Sequence, residues 1–197
     1  MKSLNERIAE DLARIRQEKP LIHHITNYVV MNDTANLTLH LGALPVMAHA
    51  PEEVAEMTSK ASALVLNIGT LTLPRVEAML EAGKKASELG IPIVLDPVGA
   101  GATKLRTESA LRLLRELKVS VVRGNSGEIG ALLGLEAEVK GVESVRGVED
   151  PAGASRQAAR LWGAVVAITG RRDFVSDGER VLGVDNAPPF LTTITGS

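Results

Sequence analysis

Ile91-Pro92-Ile93-Val94-Leu95-Asp96-Pro97-Val98-Gly99-Ala100-Gly101-Ala102-Thr103 decides the fold class of this 197-residue chain. Its apolar run has no alternating polar face, which predicts a strand buried on both sides within a parallel sheet. The run stops at an acid. Asp96 therefore falls at the carboxyl end of a strand, where open α/β folds gather ligands, and Pro97 ends the ladder by withdrawing a backbone donor. Gly99 and Gly101 lack a Cβ and would let backbone N–H groups close on an anion, with the Thr103 hydroxyl beside them. The same residues would also make a plain, tight strand-to-helix connection. Neither standard nucleotide motif fits, because Lys104 stands where the dinucleotide fingerprint has its third glycine and the Gly-Lys-Ser/Thr of a P-loop is missing.

On either side of this stretch the same alternation recurs. Leu4, Ile8, Leu12 and Ile15 are spaced as one face of a helix that ends before Pro20 and whose role is packing. Leu21 to Asn27 is a short apolar segment ending in polar residues, and Tyr28 to Leu41 has helical spacing at Val30, Ala35, Leu37 and Leu41. Asn27 is either the cap of that helix or an amide facing a ligand. Ala43 to Ala48 reads as a strand with Met47 at its end, either core filler or pocket wall. Pro51-Glu52-Glu53 opens a helix, and Ala63 to Thr70 is a second buried strand followed by a helix from Thr72 and Pro74. Later units are a helix around Thr107 to Leu117, a strand from Val119, a helix over Ala154 to Leu161, and a strand over Ala164 to Ile168 that ends in the Thr169-Gly170 turn. Repetition of strand, polar turn and helix predicts right-handed parallel βαβ units in one domain spanning 1–197. Near the end the pattern changes to a hairpin, Asp173 to Ser176 and Val181 to Val184 about an Asp-Gly turn. Gly141 to Asp150 reads as a surface loop.

Composition excludes several classes of function. With 22 basic against 24 acidic residues the net charge is −2, and only Tyr28, Trp162, Phe174 and Phe190 could stack on bases, so nucleic acid is not an expected partner. The chain has no cysteine, hence no disulfide and no thiolate metal site. No apolar run approaches the roughly 18 to 20 residues of a membrane span, and the charged start lacks a signal-peptide core, so the expected compartment is the cytoplasm. His23 and His24 are adjacent on a strand and point to opposite faces, which disfavours zinc. Ser126 is not a nucleophile elbow, because Glu128 replaces the glycine that should follow it.

Asn125-Ser126-Gly127-Glu128 places an amide and an acid three residues apart at a helix start. Capping alone would account for them. Asp96 and Glu128 nevertheless both fall at carboxyl ends of strands in the same expected sheet, and two acids beside a glycine turn suit a hydrated magnesium ion and a nucleotide phosphate.

Five blocks taken in order carry a more specific resemblance: Pro20 to Val30, Pro45-Val46-Met47, Leu66 to Leu71, Asp96 to Thr103, and Arg123 to Glu128. They resemble the signature blocks of the hydroxyethylthiazole kinases, a ribokinase-like family, over about residues 20 to 197. The resemblance implies a mostly parallel sheet flanked by helices on both faces. It also implies ATP- and magnesium-dependent phosphorylation of the primary hydroxyl of 4-methyl-5-(2-hydroxyethyl)thiazole in thiamine salvage. By the same resemblance Asp96 and Glu128 hold or orient Mg2+, Arg123 and Thr169 contact ATP, and Asn27, Met47, Gly69 and Thr70 shape the thiazole pocket. Gly196 would begin an anion hole, and the family assembles as homotrimers with pockets between subunits. The family's Thr-Gly-x-Gly-Cys run is met only as Thr195-Gly196-Ser197, so its cysteine has no counterpart here and slow turnover by the 197-residue chain is expected. Two other readings are a different small-alcohol kinase of the superfamily, such as a hydroxymethylpyrimidine kinase, and a non-catalytic ligand-binding protein.

Overall fold

The computed structural model describes residues 2–135 and 148–185. Their centre is one eight-stranded sheet in the order β2-β1-β3-β4-β5-β6-β7-β8. The strands are β1 (Leu21–Ile25), β2 (Leu44–Val46), β3 (Ala63–Asn67), β4 (Ile93–Asp96), β5 (Val121–Asn125), β6 (Val165–Thr169), β7 (Asp173–Ser176) and β8 (Val181–Val184). β1 through β6 pair in parallel, and β7 and β8 add the expected antiparallel hairpin at one edge. Seven helices are described: α1 (Leu4–Glu18), α2 (Met31–Leu41), α3 (Pro51–Ser59), α4 (Leu73–Leu89), α5 (Lys104–Glu116), α6 (Ser126–Leu132) and α7 (Pro151–Trp162).

The chain runs from β1 through α2 to β2 in one direction along the sheet, then returns past β1 to β3 and continues the other way. Right-handed crossovers then put α2 on the face opposite α3, α4 and α5. The two histidines of β1 record this directly: buried His23 bonds to Thr58 on α3, and buried His24 to Thr38 on α2. Helices α3 through α7 form a continuous layer on the first face. Beneath it Leu64, Leu66, Ile93, Leu95, Val122, Val166 and Ile168 are almost completely buried. Each such side chain contributes about 1.5–3 kcal/mol.

Two expectations are corrected here. β4 is not buried on both faces; burial alternates, with Ile93 and Leu95 under the helical layer and Val94 and Asp96 only partly covered on the other side. Among the described residues that second face carries only α1 and α2 near one edge, so an apolar run without polar alternation overstated the burial. Nor does α1 pack as its spacing suggested: none of its residues is buried, and Leu4 and Ile8 are 51% and 56% exposed. α2 behaves alike, burying Thr38 while Leu37 and Leu41 face outward.

Element ends follow their local chemistry. Thr72 and Thr103 cap α4 and α5, and Asp150 with Pro151 starts α7 three residues ahead of the apolar pattern. β2 is shorter than expected, and Pro45 within it is tolerated because β2 is an edge strand. α2 begins at Met31 because Asn27 spends the intervening residues on a turn, its Oδ1 accepting from the N–H groups of Val29 (3.1 Å) and Val30 (3.3 Å). Of the expected 141–150 loop, residues 141–147 lie outside the described residues.

Candidate active site

The winding direction reverses between the adjacent strands β1 and β3, and the crevice outside the carboxyl ends of such a strand pair is where doubly wound sheets bind ligands. At this position the chain places Asn27 after β1, and Asn67, Gly69 and Thr70 at and after β3. A hydrogen-bonded line of side chains crosses the strand ends. Asn27 Nδ2 donates to Asn67 Oδ1 at 2.8 Å, and Asn67 Nδ2 donates to Asp96 Oδ2 at 2.8 Å. The Gly69 N–H also donates to Asn67 Oδ1, at 2.9 Å, and the Tyr28 N–H to Thr70 Oγ1, at 3.0 Å. Parallel register puts Asn67 beside Asp96, which is why one amide can bridge the two loops. Gly69 is required by close approach: a Cβ there would lie 2.8 Å from both Cβ and Nδ2 of Asn27.

Asp96 carries the electrostatic tension of the site. Burial pushes its carboxyl up to about 6, against the pull of Arg123; the Glu128 charge raises it further, and the Asn67 hydrogen bond lowers it. Arg123, on β5, reaches only to 3.8 Å from Asp96 Oδ2 and is half exposed, so it compensates the acid incompletely. Two carboxylates that repel one another in a partly desolvated pocket are a donor set suited to a hard divalent cation. Among the described residues no group of three or more acids and histidines is clustered for a metal, so Asp96 and Glu128 would leave most coordination positions to water and phosphate oxygens, as magnesium prefers.

Glu128 also has a structural role. It completes a capping box on α6: its Oε2 accepts from the Asn125 N–H at 2.9 Å, and its own N–H donates to Asn125 Oδ1 at 2.9 Å. Its Oε1 meanwhile accepts from the Gly99 N–H at 2.8 Å. These bonds leave each Glu128 oxygen a lone pair free, so the cap does not by itself prevent either oxygen from taking a further partner.

The glycine-rich turn departs from the expected anion-binding role. Its four successive N–H groups are used internally: Gly99 donates to Glu128, Ala100 to Pro97 O, Gly101 to Thr107 Oγ1, and Ala102 to Gly99 O. Thr103 Oγ1 caps α5 by accepting from the Arg106 N–H. Gly99 and Gly101 are needed for their φ angles of 76° and 91°, so in this conformation the turn is the tight connection its residues equally allowed.

The remaining expected residues sort by strand end. Thr169 ends β6 in register with Asn125, with its hydroxyl 3.4 Å from Gly124 O, on the same rim as Arg123. Met47 follows β2, half-buried and outside the hydrophobic core, at the flank nearest Asn27. Gly196 lies outside the described residues. His23 is a buried neutral side chain, with Nε2 donating to Ala48 O at 2.8 Å and Nδ1 accepting from Thr58 at 2.9 Å; burial lowers its basicity, and it takes no part in the site. A cleft of about 540 Å3 lined by Ser120, Arg160, Gly163 and Asp177 lies at the opposite, amino-terminal end of β5 and β6, away from all of these groups.

Three organising residues escaped the sequence reading. Asn67 was visible only as part of a block, and its pairing depends on register. Arg75, 6% exposed, donates to Thr26 O and stacks 4.3 Å from the Tyr28 ring centroid, holding the turn that carries Asn27. Arg106 donates to carbonyls of two separate loops. Charged residues in amphipathic helices are usually solvated, and nothing local distinguishes these two arginines from their neighbours.

Comparisons with known proteins identify the family. The chain is 64% identical over 195 residues to a hydroxyethylthiazole kinase of Chloroflexus aggregans, covering 99% of this chain and 70% of that protein. The solved hydroxyethylthiazole kinase of Pyrococcus horikoshii is 49% identical and superposes with a TM-score of 0.88, over 98% of this chain and 72% of that one. A pyridoxal kinase from Staphylococcus aureus, 16% identical with a TM-score of 0.60 over 86% of this chain and 73% of its own length, shares the ribokinase-like fold alone. The model of the hydroxyethylthiazole kinase family matches residues 12–197. By sequence over nearly its whole length and by its fold, the chain belongs to the hydroxyethylthiazole kinase family.

Proposed function

We propose that this protein transfers the γ-phosphoryl group of ATP to the primary hydroxyl of 4-methyl-5-(2-hydroxyethyl)thiazole, a step of thiamine salvage. The observation that carries the reading is the line Asn27–Asn67–Asp96, which joins the crevice at the strand reversal to the acid at the next strand end. Asn27, Met47, Gly69 and Thr70 border the alcohol, with Gly196 at the start of an anion hole. Arg123 and Thr169 take the nucleotide, and Asp96 and Glu128 orient magnesium. When bound, that ion supplies charge neutralisation on the phosphates. The chain itself contributes positioning and fixed dipoles, the main sources of rate in phosphoryl transfer. The compartment we infer is the cytoplasm, where ATP is supplied.

The assembly we infer is a homotrimer with pockets between subunits. Leu4 and Ile8 on α1, Leu37 and Leu39 on α2, and Leu44 on β2 are each at least 44% exposed, apolar side chains that further copies of the chain would cover. Tyr28 and Val29, both 64% exposed, lie beside Asn27, so a second copy seated there would also close the alcohol site.

Incubation with ATP, magnesium and either the thiazole alcohol or hydroxymethylpyrimidine tests the reaction. Phosphorylated thiazole alone is the expected product. Preference for the pyrimidine would assign a different kinase, and binding of both ligands without transfer would make this a ligand-binding protein. Light scattering should give three times the chain mass, and a monomer would refute the assembly.

A further inference from the structure

Arg106, the third residue of α5, turns its guanidinium back over the strand ends. One terminal nitrogen donates to Val98 O at 2.8 Å and to Ile68 O at 3.3 Å, and the other to Gly69 O at 2.6 Å. Val98 belongs to the turn after β4, whereas Ile68 and Gly69 belong to the loop after β3. A single planar cation thus ties two loops that are not continuous in sequence, and its partners are carbonyls where an arginine on a helix surface would more often find a carboxylate. Gly99 leaves it room to pass: a Cβ there would sit 2.9 Å from Arg106 Cδ.

The consequence follows from peptide geometry. In a trans peptide the C=O and N–H point in opposite directions, so drawing the carbonyls of Ile68, Gly69 and Val98 onto the guanidinium turns the N–H groups of Gly69, Thr70 and Gly99 away from it. Two of these can be followed to their acceptors. Gly69 donates to Asn67 Oδ1, fixing the amide that bonds Asp96, and Gly99 donates to Glu128 Oε1. The orientation of Asn67 and the placement of both acids therefore depend on one side chain whose own hydrogen bonds go to backbone carbonyls and to none of the three.

We propose that Arg106 is a positioning residue for phosphoryl transfer, locking the β3–α4 and β4–α5 loops in one register so that the alcohol-binding and magnesium-binding groups act together. This rests on the function proposed above for those loops. The test uses Arg106→Ala and Arg106→Lys, with Arg112→Ala as a control on the same helix, since among the described residues Arg112 pairs with Glu77 and Glu116 on the surface. Amide exchange, ligand affinities and steady-state kinetics are read together. In Arg106→Ala the Gly69 and Gly99 amides should exchange about tenfold faster or more, while Leu95 within β4 keeps its protection. The kcat should fall about 10- to 100-fold, by more than either KM rises, because alignment is lost before affinity. Arg106→Lys, which keeps a cation but not the fork, should fall between Arg106→Ala and the parent, and Arg112→Ala should match the parent. Unchanged exchange at Gly69 and Gly99, or a kcat loss no larger than that of the control, would overturn the assignment. A parent protein that binds both ligands without transfer would refute the proposed function instead, while the exchange measurement would still judge Arg106.

Discussion

Replacing Asp96 by Asn should make the magnesium-free protein more stable and less functional. In the unfolded chain this carboxyl titrates near 3.8, and in the folded protein near 6. The folded state thus holds the proton more tightly, so the Asp96 contribution to stability falls as pH rises from about 4 to about 6 and stays low above that. A difference of about two pKa units corresponds to about 3 kcal/mol, an upper bound for the gain expected from Asp96→Asn at pH 8. Attraction by Arg123 and the Asn67 hydrogen bond are already included, and burial still prevails. Asn can keep its oxygen toward Asn67 Nδ2, so the line of side chains need not break. Urea unfolding of both proteins at pH 4, 5, 6 and 8 without magnesium measures the effect. The difference between the two curves removes other groups that titrate in the same window, buried His24 among them. It should be near zero at pH 4 and grow to its full value by pH 7. Added magnesium-nucleotide should then stabilise the parent but not the variant, by mass action. A variant no more stable than the parent at pH 8 would refute the electrostatic account of Asp96.

His24 is buried with its Nε2 toward Thr38 and its pKa lowered to about 4, chiefly by burial. Stability is therefore lost as pH falls from 6.5 towards 4, and His24→Gln should flatten this acid limb by up to about 3 kcal/mol in urea titrations; an unchanged limb would refute it. Gly69→Ala drives a Cβ to 2.8 Å from Asn27 and should weaken thiazole-alcohol binding about tenfold or more, against a stability cost of about 1–3 kcal/mol, as calorimetry and denaturation would report. Equal affinity would remove Asn27 from the pocket. Glu128→Gln should both weaken magnesium-nucleotide binding and cost about 1–3 kcal/mol, because one amide that now donates to a carboxylate oxygen would meet an N–H group; an unshifted urea midpoint would contradict the double role.

Sequence by itself determined the alternation of strands and helices, the hairpin at β7 and β8, the opposite facing of His23 and His24, and the set of polar residues at strand ends. It could do so because each depends on local periodicity, turn residues and chain direction, all of which are written within a few residues. The five blocks likewise pointed to the family. Tertiary structure alone decided which strand ends are neighbours: the order β2-β1-β3-β4 brings Asn27, Asn67 and Asp96 into line from positions 40 and 29 residues apart. It also decided the fate of the glycine turn, whose N–H groups look available in one dimension but meet Glu128, Pro97 and Thr107 in three. Burial was the least legible property. An apolar residue signals what it would bury, not whether a partner covers it, and so the stripe on α1 and the second face of β4 read as core although the described residues leave them open or half covered. Arginine roles were hidden for the converse reason: Arg75 and Arg106 act on backbone carbonyls, and carbonyls are present at every residue, so no pattern of side chains announces them.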